Sequence, residues 1–188
     1  MTSVLGSLVI AVCALSFTVA SFWWLNARRG HLKTFEPHTF AFANTPHLVR
    51  LRLPLVLYNT GATPIIVQDL RACIQDEQNS ESLLWVGTRS QIKPDSEDGH
   101  AFPSVFSIAG RAACQIFAEF GAPSLGFTLE AREYMIRIDV KLSHKDGWRS
   151  LITFPLQSSQ IADPNSFITY RNTPRSLQGS AKVIRRWY

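Results

Sequence analysis

The chain has 188 residues, enough for one globular domain with accessory segments and a core that needs no disulfides or metals. Its net charge of +5 is unevenly placed: residues 1–163 hold 14 Lys/Arg and 14 Asp/Glu, whereas residues 164–188 hold five basic residues and no acid. A neutral domain with a basic tail excludes the uniformly basic surface that is typical of nucleic-acid-binding domains.

An uncharged apolar run opens the chain and covers Val4–Leu25. As a helix, its 22 residues would be about 33 Å long, and a hydrocarbon core is about 30 Å thick. Trp23 and Trp24 lie near its end, where indole rings favour the headgroup layer. We interpret the run as a single transmembrane helix. The alternative is a signal peptide cleaved after Thr18-Val19-Ala20, although no Lys or Arg precedes the run.

Basic residues follow the apolar run and none precedes it. Arg28, Arg29 and Lys33 come directly after it, and with Trp23 and Trp24 they are the predicted membrane-interface residues. Because Lys and Arg beside a span are retained in the cytoplasm, the asymmetry predicts a single-pass cell-membrane protein with its N-terminus outside and its domain in the cytoplasm. An extracytoplasmic domain is the alternative, since β-sandwich domains behind a single anchor are also common there.

Small residues recur along the predicted helix with spacings of four and three residues. This spacing places them on one stripe, which lets two membrane helices approach closely. The stripe predicts packing against a partner helix or a homo-oligomer through the helix; a chance alignment of small residues is the alternative. Its members are Ser7, Ala11, Ala14, Thr18 and Ser21.

Alternation of residue types predicts strands in the rest of the chain. In Arg50–Leu57 every second residue is leucine, which predicts a half-buried strand, and Pro54 favours an edge strand or a bulge. Asn59-Thr60-Gly61 predicts the turn into a second strand. The predicted core-facing residues of that second strand are Ile66, Leu70, Ala72 and Ile74.

The clearest alternation covers Tyr134–Leu142. Lys145-Asp146-Gly147 then predicts a hairpin turn, because Asp-Gly tolerates positive φ angles, and Trp148–Leu156 is the returning strand. About seven short strands separated by turns predict a mainly β fold, a β-sandwich. The shorter candidate strands are Thr39–Ala43, Leu83–Val86, Phe102–Ile108 and Ala113–Phe120.

Two segments resemble parts of known β-sandwich families. Leu129-Glu130-Ala131-Arg132-Glu133-Tyr134 resembles the tyrosine corner of immunoglobulin-like and fibronectin type III-like domains. Residues 51–74 resemble the opening hairpin of many bacterial immunoglobulin-like domains. The resemblance covers roughly residues 48–156 and implies an immunoglobulin-like β-sandwich of about seven strands behind the transmembrane helix, but no activity. With the absence of glycosylation sequons, it indicates a bacterial protein.

The predicted organisation has four segments: a transmembrane helix at 4–25, a juxtamembrane linker at 26–47, the sandwich at 48–156 and a basic tail at 157–188. The immunoglobulin disulfide is missing, because Ile136 stands where its second cysteine would be. Cys73 has outward parity on its strand, whereas Cys114 shares parity with apolar residues. A Cys73–Cys114 bridge is therefore disfavoured, and free thiols are predicted.

No catalytic, cofactor or metal motif is recognised in the sequence. The acidic run Asp95, Glu97 and Asp98 lacks the ligand pattern of an EF-hand calcium loop and predicts a solvated loop. Glu130 and Glu133 flank the tyrosine corner and are assigned a structural role. The histidines lack metal-ligand spacing and are predicted to be solvated: His31, His38, His47, His100 and His144.

The basic tail is a candidate contact for anionic lipid. Each Lys or Arg near an anionic leaflet contributes about 1 kcal/mol, so the tail could lie against the membrane. A disordered, solvated terminus is the alternative. Arginines beside aromatic residues can also bind single-stranded nucleic acid, but the neutral domain does not favour it. The tail residues concerned are Arg171, Arg175, Lys182, Arg185 and Arg186.

The functional hypothesis is a non-catalytic protein-interaction or scaffolding module that is anchored at the membrane and binds another protein. The predicted edge strands are the one containing Pro54 and Trp148–Leu156. The alternative is a carrier of an apolar small molecule or lipid, or an enzyme with a dispersed site. The lining of such a pocket would be Phe102, Phe106, Phe117, Phe120 and Phe127.

Overall fold

The computed structural model describes residues 2–44, 48–75, 80–93, 97–123, 133–157 and 168–171. An α-helix, α1 (Thr2–Phe22), is continued by a π-helical turn, Trp23–Ala27. Eleven strands follow within the described ranges, so the predicted mainly β fold is confirmed. They are β1 Leu32–Thr34, β2 Thr39–Asn44, β3 Leu48–Asn59, β4 Ile65–Gln75, β5 Ser80–Arg89, β6 His100–Ala101, β7 Phe106–Ile108, β8 Ala113–Pro123, β9 Glu133–Leu142, β10 Trp148–Gln157 and β11 Ile168–Arg171.

The N-terminal helix is long and apolar enough to span a membrane. The candidate span is Val4–Ala27, 24 residues with a mean hydropathy of 2.2, and its most apolar window is not buried against the rest of the described chain. At 1.5 Å per residue the span would be about 36 Å long. A signal sequence near an N-terminus has the same properties, so the helix alone leaves both alternatives open.

The strands form one antiparallel sheet that curls until it is nearly closed. Its order is β10-β9-β4-β5-β8-β3-β2-β11, and β1 pairs with residues 57–59 of β3 while also contacting β10. The two ends of this sheet, β1 and β10, therefore nearly meet. Between them the strand order is β3, β8, β5, β4 and β9. This arrangement, which we call the barrel, differs from the predicted sandwich of about seven strands in two sheets.

Three bulges help to bend the sheet into the barrel. The register shifts between Val67 and Asp69 in β4, between Trp85 and Gly87 in β5, and between Ser150 and Ile152 in β10. A bulge adds one residue to one strand, which bends that strand and increases its twist. The sheet can therefore curl around a single core.

The β4 bulge corrects one sequence prediction. Leu70, Ala72 and Ile74 are buried as predicted, but Ile66 is 41% exposed, and its neighbours Ile65 and Val67 are buried instead. One extra residue in the strand reverses which side of the sheet the preceding residues face. Periodicity alone could not locate that residue.

Alternate residues fill the barrel interior with apolar side chains. In β3, Leu51, Leu53, Leu55 and Leu57 are fully buried, as the alternation predicts. In β9 the inward residues Tyr134, Ile136, Ile138, Val140 and Leu142 are all at most 5% exposed, which confirms the clearest predicted strand. The predicted hairpin also forms, and Gly147 has φ +74°.

The prediction that β3 is an edge strand is wrong. Pro54 is paired with Phe117 of β8 on one side. On the other side, β2 pairs with residues 49–52 and β1 with residues 57–59, so Pro54 lies between these two ladders. Its missing N–H is tolerated at that break. By contrast, β10 stands at one end of the strand order, as predicted.

The sheet extends beyond the predicted limits of 48 and 156. β1 and β2 lie in the segment predicted as a linker, and Phe40 and Phe42 of β2 belong to the core. β11 pairs with β2, so Arg171 ends a strand opposite Thr39. The other tail residues, Arg175, Lys182, Arg185 and Arg186, lie outside the described residues.

Candidate functional site at the junction of helix and barrel

The chain that leaves the helix is bound to the first turn of the barrel. His31 N donates to Thr60 Oγ1 at 2.9 Å, and Thr60 N donates to His31 O at 3.2 Å. Ala62 N donates to Arg28 O at 2.8 Å. Residues 28–31 therefore join helix and barrel by hydrogen bonds where the sequence predicted a linker.

Asn59 holds this turn together from inside. Asn59 opens the predicted turn Asn59-Thr60-Gly61, and it is only 2% exposed. Its Nδ2 donates to Thr63 O at 2.8 Å and to Ala109 O at 3.2 Å, and its Oδ1 accepts from Gly61 N at 2.9 Å. These bonds fix the turn at 59–63 against the turn at 109–112.

Glycines allow the backbones to approach closely at the junction. A Cβ at Gly30 would overlap the backbone of Gly61, and a Cβ at Gly110 would overlap the backbone of Ala62. Only glycine has no side-chain carbon to clash at such positions. The contact between the exit of the helix and the barrel therefore depends on these residue types.

Two arginines hold the end of the helix. The Arg28 guanidinium lies 4.0 Å from the ring centroid of Trp24, a cation–π contact. Arg111 Nη2 donates to Trp24 O at 2.8 Å across 87 residues of sequence. Two predicted membrane-interface residues thus contact each other, and the barrel supplies a third residue that the sequence had not singled out.

Two surface clefts flank the junction. The first, about 260 Å³, is lined by Arg29 and Gly30 on one side and by Ser143 and His144 on the other. The second, about 360 Å³, lies between residues 31–32 and the turn from β9 into β10. Both clefts are therefore walled by the segment that follows the helix and by the β9–β10 hairpin.

Basic side chains surround these clefts. Lys145 and Arg149 line the second cleft, and Arg29 lines the first. Partial burial lowers the pKa of His144, and the positive charges of Lys145, Arg29 and Arg149 lower it further. The three cations thus all disfavour the protonated form of His144. We call Arg29, His144, Lys145 and Arg149 the basic collar.

A second charged group is buried on the outer face of the sheet, and we call it the arginine–carboxylate cluster. Glu119, 1% exposed, accepts from Arg52 Nη2 at 2.8 Å, from Arg89 Nε at 3.0 Å and from Arg50 Nη1 at 3.3 Å. Arg52, itself 2% exposed, also donates to Asp98 Oδ2 at 2.8 Å. Paired in this way, the buried charges are compensated.

The arginine–carboxylate cluster corrects the prediction of a solvated acidic loop. The Asp98 side chain is only 4% exposed, because residues 91–92 and Asp98 lie over the sheet and are bonded to Arg52. Ser90 Oγ donates to Asp98 Oδ1 at 3.0 Å, and Gly99 N donates to Ser90 Oγ at 3.0 Å. Glu97 is exposed as predicted, and Asp95 lies outside the described residues.

Acid is expected to destabilise the barrel through this cluster. Burial raises the pKa of Glu119, but hydrogen bonds and attraction from Arg89 and Arg52 outweigh burial and lower it below the ordinary 4.5. Asp98 is likewise lowered below 3.8. A carboxyl with a lowered folded-state pKa contributes full stability above its ordinary pKa and loses that contribution as pH falls through the folded-state value.

We therefore expect the free energy of unfolding to fall steadily as pH is lowered below about 4.5. Denaturant unfolding between pH 7 and pH 3 measures this fall. In Glu119→Gln, which cannot ionise, the fall should be shallower than in the parent. Equal slopes in the two proteins would show that Glu119 does not carry the effect.

A third charged group surrounds Cys73. Asp139 Oδ2 accepts from Arg71 Nε at 2.9 Å, and Arg137 Nε lies 3.0 Å from Asp139 Oδ1. Cys73 Sγ donates to Asp139 Oδ2 at 3.7 Å, whereas Cys114 packs on the core side. The two cysteines therefore lie on opposite faces of the sheet, and both are free, as predicted.

Of the five phenylalanines that were predicted as a pocket lining, the four that the structure describes do not share one space. Phe120 is buried in the core, Phe106 packs at its margin against Trp85, and Phe102 is 79% exposed. Phe117 has the outward parity of its strand, and Phe127 lies outside the described residues. The four described phenylalanines therefore do not form the lining of one ligand cavity.

The other predicted site residues are placed as follows. Ser7, Ala11, Ala14, Thr18 and Ser21 all lie on α1, and Thr18 Oγ1 donates to Ala14 O at 2.8 Å. Four histidines, His31, His38, His100 and His144, are exposed, and His47 lies outside the described residues. Within the described ranges, no three His, Cys, Asp or Glu side chains are arranged to hold a metal ion.

Sequence reasoning missed the hairpin cations and the buried arginine–carboxylate cluster. Lys145 and Arg149 stood out only as turn and strand residues, since their proximity to Arg29 depends on how the barrel closes. Arg52 and Glu119 alternate with apolar neighbours, which ordinarily indicates a solvated face.

Neither a protein-family model nor a curated protein matches this chain.

Proposed function

We propose that this protein is a single-pass membrane protein whose barrel is a non-catalytic module for binding another protein. The observation that carries the proposal is the hydrogen-bonded junction at residues 28–31, which holds the barrel directly at the end of an apolar helix. Anchoring of this kind confines a binding domain to the membrane and raises its effective concentration there.

The partner is proposed to add to the edge of β10. Within the described ranges, residues 148–153 of β10 pair in the sheet only with β9, and β1 contacts β10 without pairing with it. An unpaired strand edge presents N–H and C=O groups that another strand can bind. Thr153 is exposed beyond the bulge in β10 and marks this edge.

A photoreactive amino acid at Thr153 tests the proposal in intact membranes. We expect a discrete crosslinked species that is absent when the same amino acid replaces Leu84, which is 63% exposed on a strand paired on both sides. The same pattern from both positions, or no product at Thr153, would contradict binding at this edge.

The same preparation tests the anchor and its sidedness. If the anchor is retained, the intact mass of the chain includes the helix, and the chain resists alkaline extraction. Cleavage near Ala20 would remove most of the helix.

The basic residues after the helix favour a cytoplasmic domain. Reporters fused at the C-terminus, one fluorescent only in the cytoplasm and one active only outside it, decide between the two sides.

A further inference from the structure

We propose that the clefts beside the junction bind the headgroup of an anionic phospholipid through the basic collar. This inference goes beyond protein binding and rests only on the membrane anchor. It concerns a site on the barrel itself, whereas the basic tail discussed above lies mostly outside the described residues.

The position of Arg29 sets the depth of the clefts relative to the bilayer. The candidate span ends at Ala27, and Arg29 follows two residues later. Two residues extend at most about 7 Å, and the headgroup layer on each side of a bilayer is about 5–8 Å thick. With the helix inserted, the cleft that Arg29 lines lies at the level of the lipid phosphates.

The barrel brings additional cations to this level. Lys145 and Arg149 are 116 and 120 residues from Arg29 in sequence. Arg29 nevertheless lines the first cleft together with His144, and Lys145 and Arg149 line the second cleft together with residues 31–32. Within the described ranges, none of the three forms an ion pair with a carboxylate, whereas the arginines of the arginine–carboxylate cluster do. Asp146 is the single acid of the same hairpin turn and offsets one of the charges.

The chemistry favours a phosphate-bearing headgroup over a neutral ligand. Arginine binds phosphate oxygens through several N–H groups, and lysine adds a positive point charge. The clefts of about 260 and 360 Å³ are lined by residues 29–32, which directly follow the helix, so a bound headgroup could leave its acyl chains in the same membrane that the helix spans.

The test compares two double variants of the full chain in non-ionic detergent. Native mass spectrometry gives the affinity for phosphatidylglycerol and for phosphatidylcholine with the same acyl chains. Lys145→Gln/Arg149→Gln is expected to bind phosphatidylglycerol about thirtyfold more weakly, since each basic residue at an anionic surface contributes about a fivefold factor. The matched control, Lys93→Gln/Lys141→Gln, removes two exposed lysines and should leave that affinity unchanged.

Three results would overturn the proposal: equal losses in the two double variants, equal affinity of the parent for both lipids, or equal thermal stabilisation by inorganic phosphate alone. The third result would indicate a site for a free anion. Arg29→Gln removes the basic-collar cation that lies outside the β9–β10 hairpin. It should weaken phosphatidylglycerol binding about fivefold even if the hairpin variant folds poorly. None of these results depends on protein binding at β10, so either proposal can be contradicted without affecting the other.

Discussion

Replacing Glu119 by alanine is expected to lower the free energy of unfolding by about 3–5 kcal/mol. Glu119 is 1% exposed and is the acceptor on which Arg50, Arg52 and Arg89 converge. Its removal takes from the buried Arg52 one of its carboxylate partners, and Asp98 remains as another. Breaking one side of a buried ion pair costs this much because the remaining charge is desolvated and incompletely compensated.

The control is Glu133→Ala, which removes an exposed carboxylate at the start of β9. Denaturant unfolding in detergent should show a change within about 0.5 kcal/mol for that variant. Similar losses for the two variants would mean that the arginine–carboxylate cluster does not contribute beyond an ordinary surface charge. The cluster would then not explain why Asp98 is held against Arg52.

Replacing Phe120 by alanine is expected to lower the free energy of unfolding by about 3–5 kcal/mol. Phe120 is fully buried, and its backbone stands opposite Leu51 of β3 and Trp85 of β5. Truncation removes buried apolar area and leaves a cavity that three bonded strands cannot close. The same unfolding measurement checks this prediction.

Leu84→Ala is the matched control for the core. Leu84 is 63% exposed on β5, one residue before Trp85, so its truncation should cost less than about 0.5 kcal/mol. If Phe120→Ala also cost less than about 1 kcal/mol, the barrel interior would have to collapse easily around the missing ring. That result would contradict a core in which the two sides of the curled sheet pack together.

Local patterns predicted the elements well where one physical rule acts over neighbouring residues. Period-2 alternation predicted the inward leucines of β3 and the whole of β9, because successive side chains of a strand point to opposite faces. Asp146-Gly147 predicted the hairpin before β10, because glycine accepts positive φ. The parity of Cys73 and Cys114 likewise predicted free thiols on opposite faces.

Predictions failed where the outcome depended on strand neighbours. Ile66 was predicted to face the core, but the bulge in β4 turns it outward. Pro54 suggested an edge, but a break between two ladders also tolerates a missing N–H. Asp98 was expected in solvent, but Arg52 lies 46 residues away and binds it only because the loop folds back over the sheet.

The sequence by itself determined the apolar helix, the mainly β domain and the faces of the regular strands. These follow from helix length, hydropathy and side-chain alternation, which act between near neighbours in the chain. Only the tertiary structure decided that the sheet curls into a barrel, that residues 28–31 are bonded to its first turn, and that Arg29 lines a cleft with His144 of the β9–β10 hairpin. Those results depend on strand order and bulges, since pairing across the sheet brings together residues that no local pattern relates.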